Sequence, residues 1–70
     1  MPLKPLKPRE IIRKLEKAGF QPTRQKGSHA RYTKGARGVT VAIHPGDVPP
    51  QVIRSIIQQA GLTPEEWEQL

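Results

Sequence analysis

Residues 28–44 read Ser28-His29-Ala30-Arg31-Tyr32-Thr33-Lys34-Gly35-Ala36-Arg37-Gly38-Val39-Thr40-Val41-Ala42-Ile43-His44, and their period decides the fold. Val39, Val41 and Ile43 alternate with Thr40, Ala42 and His44, the two-residue repeat of a strand with one buried face. Ser28 to Thr33 supplies its partner. Ser28, Ala30 and Tyr32 share one parity, and His29, Arg31 and Thr33 share the other. Tyr32 is the large side chain, so its face is assigned to the core and His29 points outward. Lys34-Gly35-Ala36-Arg37 reads as the hairpin turn between them, with glycine taking the positive φ. Thr23 to Gln25 is a candidate for one more strand ahead of this hairpin.

Helical spacing appears on either side. Pro8 suits a first helical turn. Ile11, Ile12, Leu15 and Ala18 then recur at three- and four-residue steps, with Arg9, Arg13, Lys14 and Lys17 mostly on the other face. Gly19 closes this helix as a left-handed cap, and Phe20 folds back on its last turn. After the turn His44-Pro45-Gly46-Asp47, Asp47 is expected to cap a helix following Val48. Val52, Ile53, Ile56, Ile57 and Ala60 form its buried stripe, ended by Gly61 with Leu62 behind it. Thr63-Pro64-Glu65-Glu66 is a capping box that opens a short last turn carrying Trp67 and Leu70. The order is α-β-β-β-α: an α+β domain with a three-stranded antiparallel sheet and two helices on one face. Its main core is expected from Ile11, Leu15, Val41, Ile43, Ile53, Ile57 and Ala60. Residues 1–7 form a Pro/Lys-rich leader, extended because each proline opposes helix in the residue before it. Residues 8–70 form the single domain.

Composition bounds the function. A chain of 70 residues, 34% hydrophobic, holds one small core. With no cysteine it has neither a disulfide framework nor a Cys-based zinc site. No apolar run approaches the ~20 residues that span a bilayer, and the start lacks a signal-peptide apolar core, so a cytoplasmic chain without a membrane is expected. Twelve Lys/Arg oppose six Asp/Glu, but unevenly: residues 1–37 hold 11 basic and 2 acidic side chains, residues 38–70 hold 1 and 4. One strongly basic half in so small a chain is built to meet a polyanion, most often nucleic acid.

Few side chains here run a reaction near neutral pH: His29, His44, Tyr32 and a lysine among cations. No phosphate-binding glycine loop or His/Cys metal cluster is present, so no metal or cofactor is expected. Arg24-Gln25-Lys26-Gly27-Ser28-His29 brings two cations, backbone amides at a glycine and an imidazole to one place. Cations and amides suit a phosphate; an imidazole suits proton transfer at a ribose 2′-OH. Pairing fixes the company His29 keeps. If Tyr32 pairs with Val39, His29 faces Ala42 with His44 diagonal to it; if Tyr32 pairs with Val41, His29 faces His44. Both registers bring two imidazoles together, and such a pair can supply one base and one acid, as in metal-free RNA cleavage through the 2′-OH. The inert readings are a solvated His29 and a His44 that belongs only to its turn.

The chain resembles the HicA toxin family, the mRNA interferases of HicAB toxin–antitoxin modules. The resemblance rests on Leu15-x-x-Ala18-Gly19-Phe20, on Arg24-Gln25-Lys26-Gly27-Ser28-His29-x-x-Tyr32, on Val39-Thr40-Val41 and on Ile53-x-x-Ile56-Ile57-x-x-Ala60-Gly61-Leu62. It covers about residues 9–67. The resemblance implies a double-stranded-RNA-binding-like fold and a catalytic histidine in the Gly-Ser-His motif, here His29. Tyr32 stands where phenylalanine is commoner, and Ala42-Ile43-His44-Pro45 departs from the usual proline before a histidine. The expected protein is a type II toxin: a metal-independent endoribonuclease acting on mRNA, with a HicB-like antitoxin as partner. His29 is its general acid/base, Arg24, Lys26, Gly27, Ser28 and Arg31 bind RNA phosphate, and His44 is a possible second acid/base. The rivals are a non-catalytic RNA-binding module of the same fold and an adaptor whose basic face docks an acidic protein.

Overall fold

Alternation and helical spacing translate into six elements in the computed structural model, which describes residues 3–43 and 45–70. Helix α1 (Pro8–Lys17) is followed by strands β1 (Gln21–Lys26), β2 (His29–Lys34) and β3 (Arg37–Ala42), then by α2 (Pro50–Ala60) and the short α3 (Pro64–Glu68). The strands form one antiparallel sheet in the order β1-β2-β3. The α-β-β-β-α order is therefore present, with the last turn long enough to be a third helix. Both hairpins are two-residue turns with glycine first, Gly27 at φ 61° and Gly35 at φ 59°. Glycine at that position matches the right-handed twist of the strands it joins. Ser28 consequently belongs to a turn, and β2 begins one residue later than its alternation indicates.

Tyr32 pairs with Val39 and Ala30 with Val41, which selects the first of the two registers. Those four side chains are buried, and Ile11, Leu15, Phe20, Ile53, Ile56, Ile57, Ala60 and Trp67 close over them from the helix side. Most of the expected core is there. Ile43 is only half-buried, while Tyr32, Val39, Phe20 and Trp67 carry more of the interior. Val52 is 44% exposed rather than part of the α2 stripe. One residue is a 100° step around a helix, enough to carry Val52 off the Ile53-Ile56-Ile57-Ala60 face.

The two helices end alike. Phe20 N–H donates to the Leu15 carbonyl at 2.9 Å and Gly19 N–H to Glu16 at 3.0 Å; Leu62 N–H donates to Ile57 at 3.1 Å and Gly61 N–H to Gln58 at 3.0 Å. These are the paired bonds of a Schellman cap, with Gly19 and Gly61 both at positive φ. Each end also meets a cation from the β2–β3 hairpin. Lys34 Nζ donates to the Ala18 carbonyl at 2.7 Å, and the Arg37 guanidinium lies where a Cβ on Gly61 would sit. Positive charge at a helix C-terminus is attracted by the negative end of the helix dipole and stabilises it.

Two local expectations are corrected. Asp47 does not cap α2: the N-cap is Pro49, with no side-chain cap bond. Val48 is held extended by an antiparallel bridge to Leu6, at 2.7 and 3.3 Å, and Pro50 at the first helical position has no N–H needing a cap. Lys14 is not on the solvent face but 9% exposed, donating to the carbonyls of Trp67 at 2.9 Å and Leu70 at 3.4 Å. Its Nζ stands 5.4 Å from the Trp67 ring centroid, so charge and ring attract as well. That contact ties α1 to α3, whose capping box is complete: Thr63 N–H donates to Glu66 at 2.8 Å and Glu66 N–H to Thr63 at 3.1 Å.

Burial, with the Glu16 carboxylate adding to it, pushes the Tyr32 phenol above its usual 10.0. An acid whose folded pKa is raised keeps its share of stability below pH 10 and loses it as pH rises through the folded value, because the unfolded chain ionises first. Tyr32→Phe should therefore flatten the alkaline fall in stability. Urea midpoints at about pH 8 and pH 11 check this; an equal fall in both proteins would contradict it.

Candidate RNA-binding face

Strand parity sorts the sheet cations into two groups. Lys34 and Arg37 pair with each other across the β2–β3 turn and lean toward the helix ends. The others fall on the opposite face, in two cross-strand rows: Lys26–His29–Ala42 and Arg24–Arg31–Thr40. Arg24, Lys26, His29, Arg31 and Thr40 are all exposed. Among the described residues, no strand contains an aspartate or glutamate. Arginine directly opposite arginine on an acid-free sheet is a repulsive pair, and a bound polyanion relieves it.

Gly27 and Ser28 form the turn that joins Lys26 to His29, at one end of the first row. The Ser28 carbonyl accepts from Ile43 N–H at 2.5 Å, which extends the β2–β3 ladder past Ala42 and fixes the turn against β3. Gln25 Nε2 donates to the Gly27 carbonyl at 3.3 Å. His29 is thus mounted at a braced strand end, with its ring in solvent. The structure brings Arg24, Lys26, Gly27, Ser28, His29 and Arg31 together on or beside this face. His44 lies outside the described residues.

Sequence reasoning passed over two neighbours of Arg31. Its Nη1 donates to Thr40 Oγ1 at 3.2 Å, and its guanidinium rests over Gly38. Neither residue stands out by type; only the Tyr32–Val39 register reveals them. Thr23 Oγ1 also donates to the Arg31 carbonyl at 3.3 Å, beside the irregularity between Pro22 and Arg24.

The open face is thus basic and acid-free, carries an imidazole and has both long helices behind it. The family model for the HicA toxin of bacterial toxin–antitoxin systems matches residues 8–62. The chain belongs to the HicA toxin family. No curated protein matches it. Membership in the HicA family implies an antitoxin partner. The matched span runs from the first residue of α1 to the Leu62 that closes the α2 cap, so the whole sheet and both Schellman ends lie within it. Among the described residues, no three His or carboxylate side chains gather as a metal site would require, and no helix is long and apolar enough to cross a membrane.

Proposed function

We propose that this HicA-family chain is an endoribonuclease that cleaves single-stranded mRNA without a metal, using His29 as its general acid/base, as the toxin of a type II module. The observation that carries the reading is the placement of His29 on the same open face as Arg24, Lys26 and Arg31, with no acid among the strands. The imidazole takes the ribose 2′-OH proton, and the freed oxygen attacks the adjacent phosphorus. The P–O5′ bond breaks, leaving a 2′,3′-cyclic phosphate and a 5′-OH. The proton for the departing oxygen comes from His29 itself or from His44 as a second acid. Arg24, Lys26 and Arg31 hold the non-bridging oxygens, and the Gly27 and Ser28 amides stabilise the extra charge of the phosphorane. A HicB-like antitoxin, more acidic than this chain, silences it by covering the same face.

Phe20, Tyr32 and Trp67 are 2%, 7% and 1% exposed, so none of the large aromatic rings is offered to a base. Affinity then rests on phosphate charge rather than stacking. Three phosphate contacts on a single strand predict that log affinity falls with log salt at a slope of about −2. Titrating a single-stranded oligonucleotide against the His29→Ala protein at several salt concentrations measures the slope; a flat line would remove the electrostatic reading.

A further inference from the structure

Arg31 stands exposed in the middle of the sheet, yet its side chain is anchored twice. Nη1 donates to Thr40 Oγ1 on β3, directly across the ladder, and the guanidinium occupies the space where a Cβ would sit on Gly38, the next outward position of β3. Gly38 is not at positive φ, so its backbone accepts any residue. What a side chain there would cost is the seat of Arg31: a Cβ on Gly38 would overlap the guanidinium and push its flexible end aside. Glycine weakens a strand interior, and where it occurs another group often approaches the backbone closely. Here that group is a cation. Arg31 has no carboxylate partner among the described residues, whose one ion pair is Arg13–Glu10. An arginine held in place by its own sheet, with no anion to compensate the lost freedom, is pre-organised for an anion from outside.

We propose that Gly38 and Thr40 are positioning residues that hold the Arg31 guanidinium against the sheet, with its remaining N–H groups turned toward a phosphate of bound RNA. Arg31 is two residues along β2 from His29 on the same face, so the phosphate it takes neighbours the one His29 acts on. This inference rests on the RNA-cleaving reading of that face. On this reading Gly38 is a glycine for the space it leaves to Arg31, not for backbone shape.

Affinity for a single-stranded RNA oligonucleotide, measured in the His29→Ala background to prevent cleavage, tests it. Arg31→Ala, Gly38→Ala and Thr40→Val should each weaken binding by about tenfold, as loss of a charge-assisted contact does. Thr40→Ser keeps the hydroxyl and should bind as the parent does. Arg31→Ala should also make the salt slope shallower by about 0.7. Gly38→Ala should melt no lower than the parent, since alanine loses less chain entropy on folding. Parent-like binding by Gly38→Ala and Thr40→Val, with Arg31→Ala weakened, would overturn this inference alone. Loss of binding together with a lower melting temperature in Gly38→Ala would overturn it too, because the glycine would then be structural. No RNA binding by the parent would remove the underlying reading and this one with it.

Discussion

His29→Ala is expected to turn a growth-arresting protein into a tolerated one without unfolding it. The ring is exposed on the outward parity of β2, opposite Lys26 and Ala42, and the buried side chains beneath it belong to Ala30 and Tyr32. Surface substitutions of this kind stay within about 0.5 kcal/mol of the parent. RNA binding should persist, because Arg24, Lys26 and Arg31 are untouched. Antitoxin binding should persist as well, since a stable interface covers roughly 800 Å² on each partner and one ring is a small part of that. What goes is proton transfer, a contribution of about 10²–10⁴-fold in rate. Induced expression of the two proteins, scored by growth and mRNA decay, shows the difference; growth arrest by the variant equal to that of wild type would contradict it.

Ile57→Ala should do the opposite and lose everything at once. Ile57 is 2% exposed in the cluster that joins α2 to β3 and α1. Emptying such a site costs about 2–5 kcal/mol. A small domain has little more than that in total, at the low end of roughly 5–15 kcal/mol. A melting temperature lower by at least about 10 °C follows. Val52→Ala on the same helix removes a side chain that is already 44% exposed and should cost a fraction as much. Thermal melts of the pair separate a packed stripe from a bystander; equal shifts would show that α2 is not packed as described.

Much of this arrangement is legible in the chain because local chemistry and global packing agree. The repeated Ala-Gly-apolar ending marks both helix ends, since a Schellman cap is a local device. Alternation in Val39–Ile43 fixes the buried face of β3, and the size of Tyr32 fixes that of β2. Strand β1 is faint for a physical reason: all six of its residues are exposed, so pairing with β2 defines it and burial leaves no period to read. Lys14 deceives in the other direction. Residue type puts a lysine on the polar face, but Lys14 stands three residues from Ile11 and four from Ala18, on the buried stripe, where two carbonyls near the far end of the chain accept its hydrogen bonds and make burial affordable. The site divides the same way. His29 and its neighbouring cations follow from residue type and parity, whereas the Gly38–Thr40 seat of Arg31 needs the exact cross-strand register.

On the proposed reading the His29 imidazole moves the proton in RNA cleavage. Single-turnover cleavage of a single-stranded RNA at saturating protein, with a metal chelator present and wild type beside His29→Ala, tests it most directly. Cleavage by wild type, slowed by about 10²–10⁴-fold in the variant at unchanged affinity, is the expected result. Equal rates for the two proteins would contradict it and leave a basic face that binds RNA without using His29 to cut it.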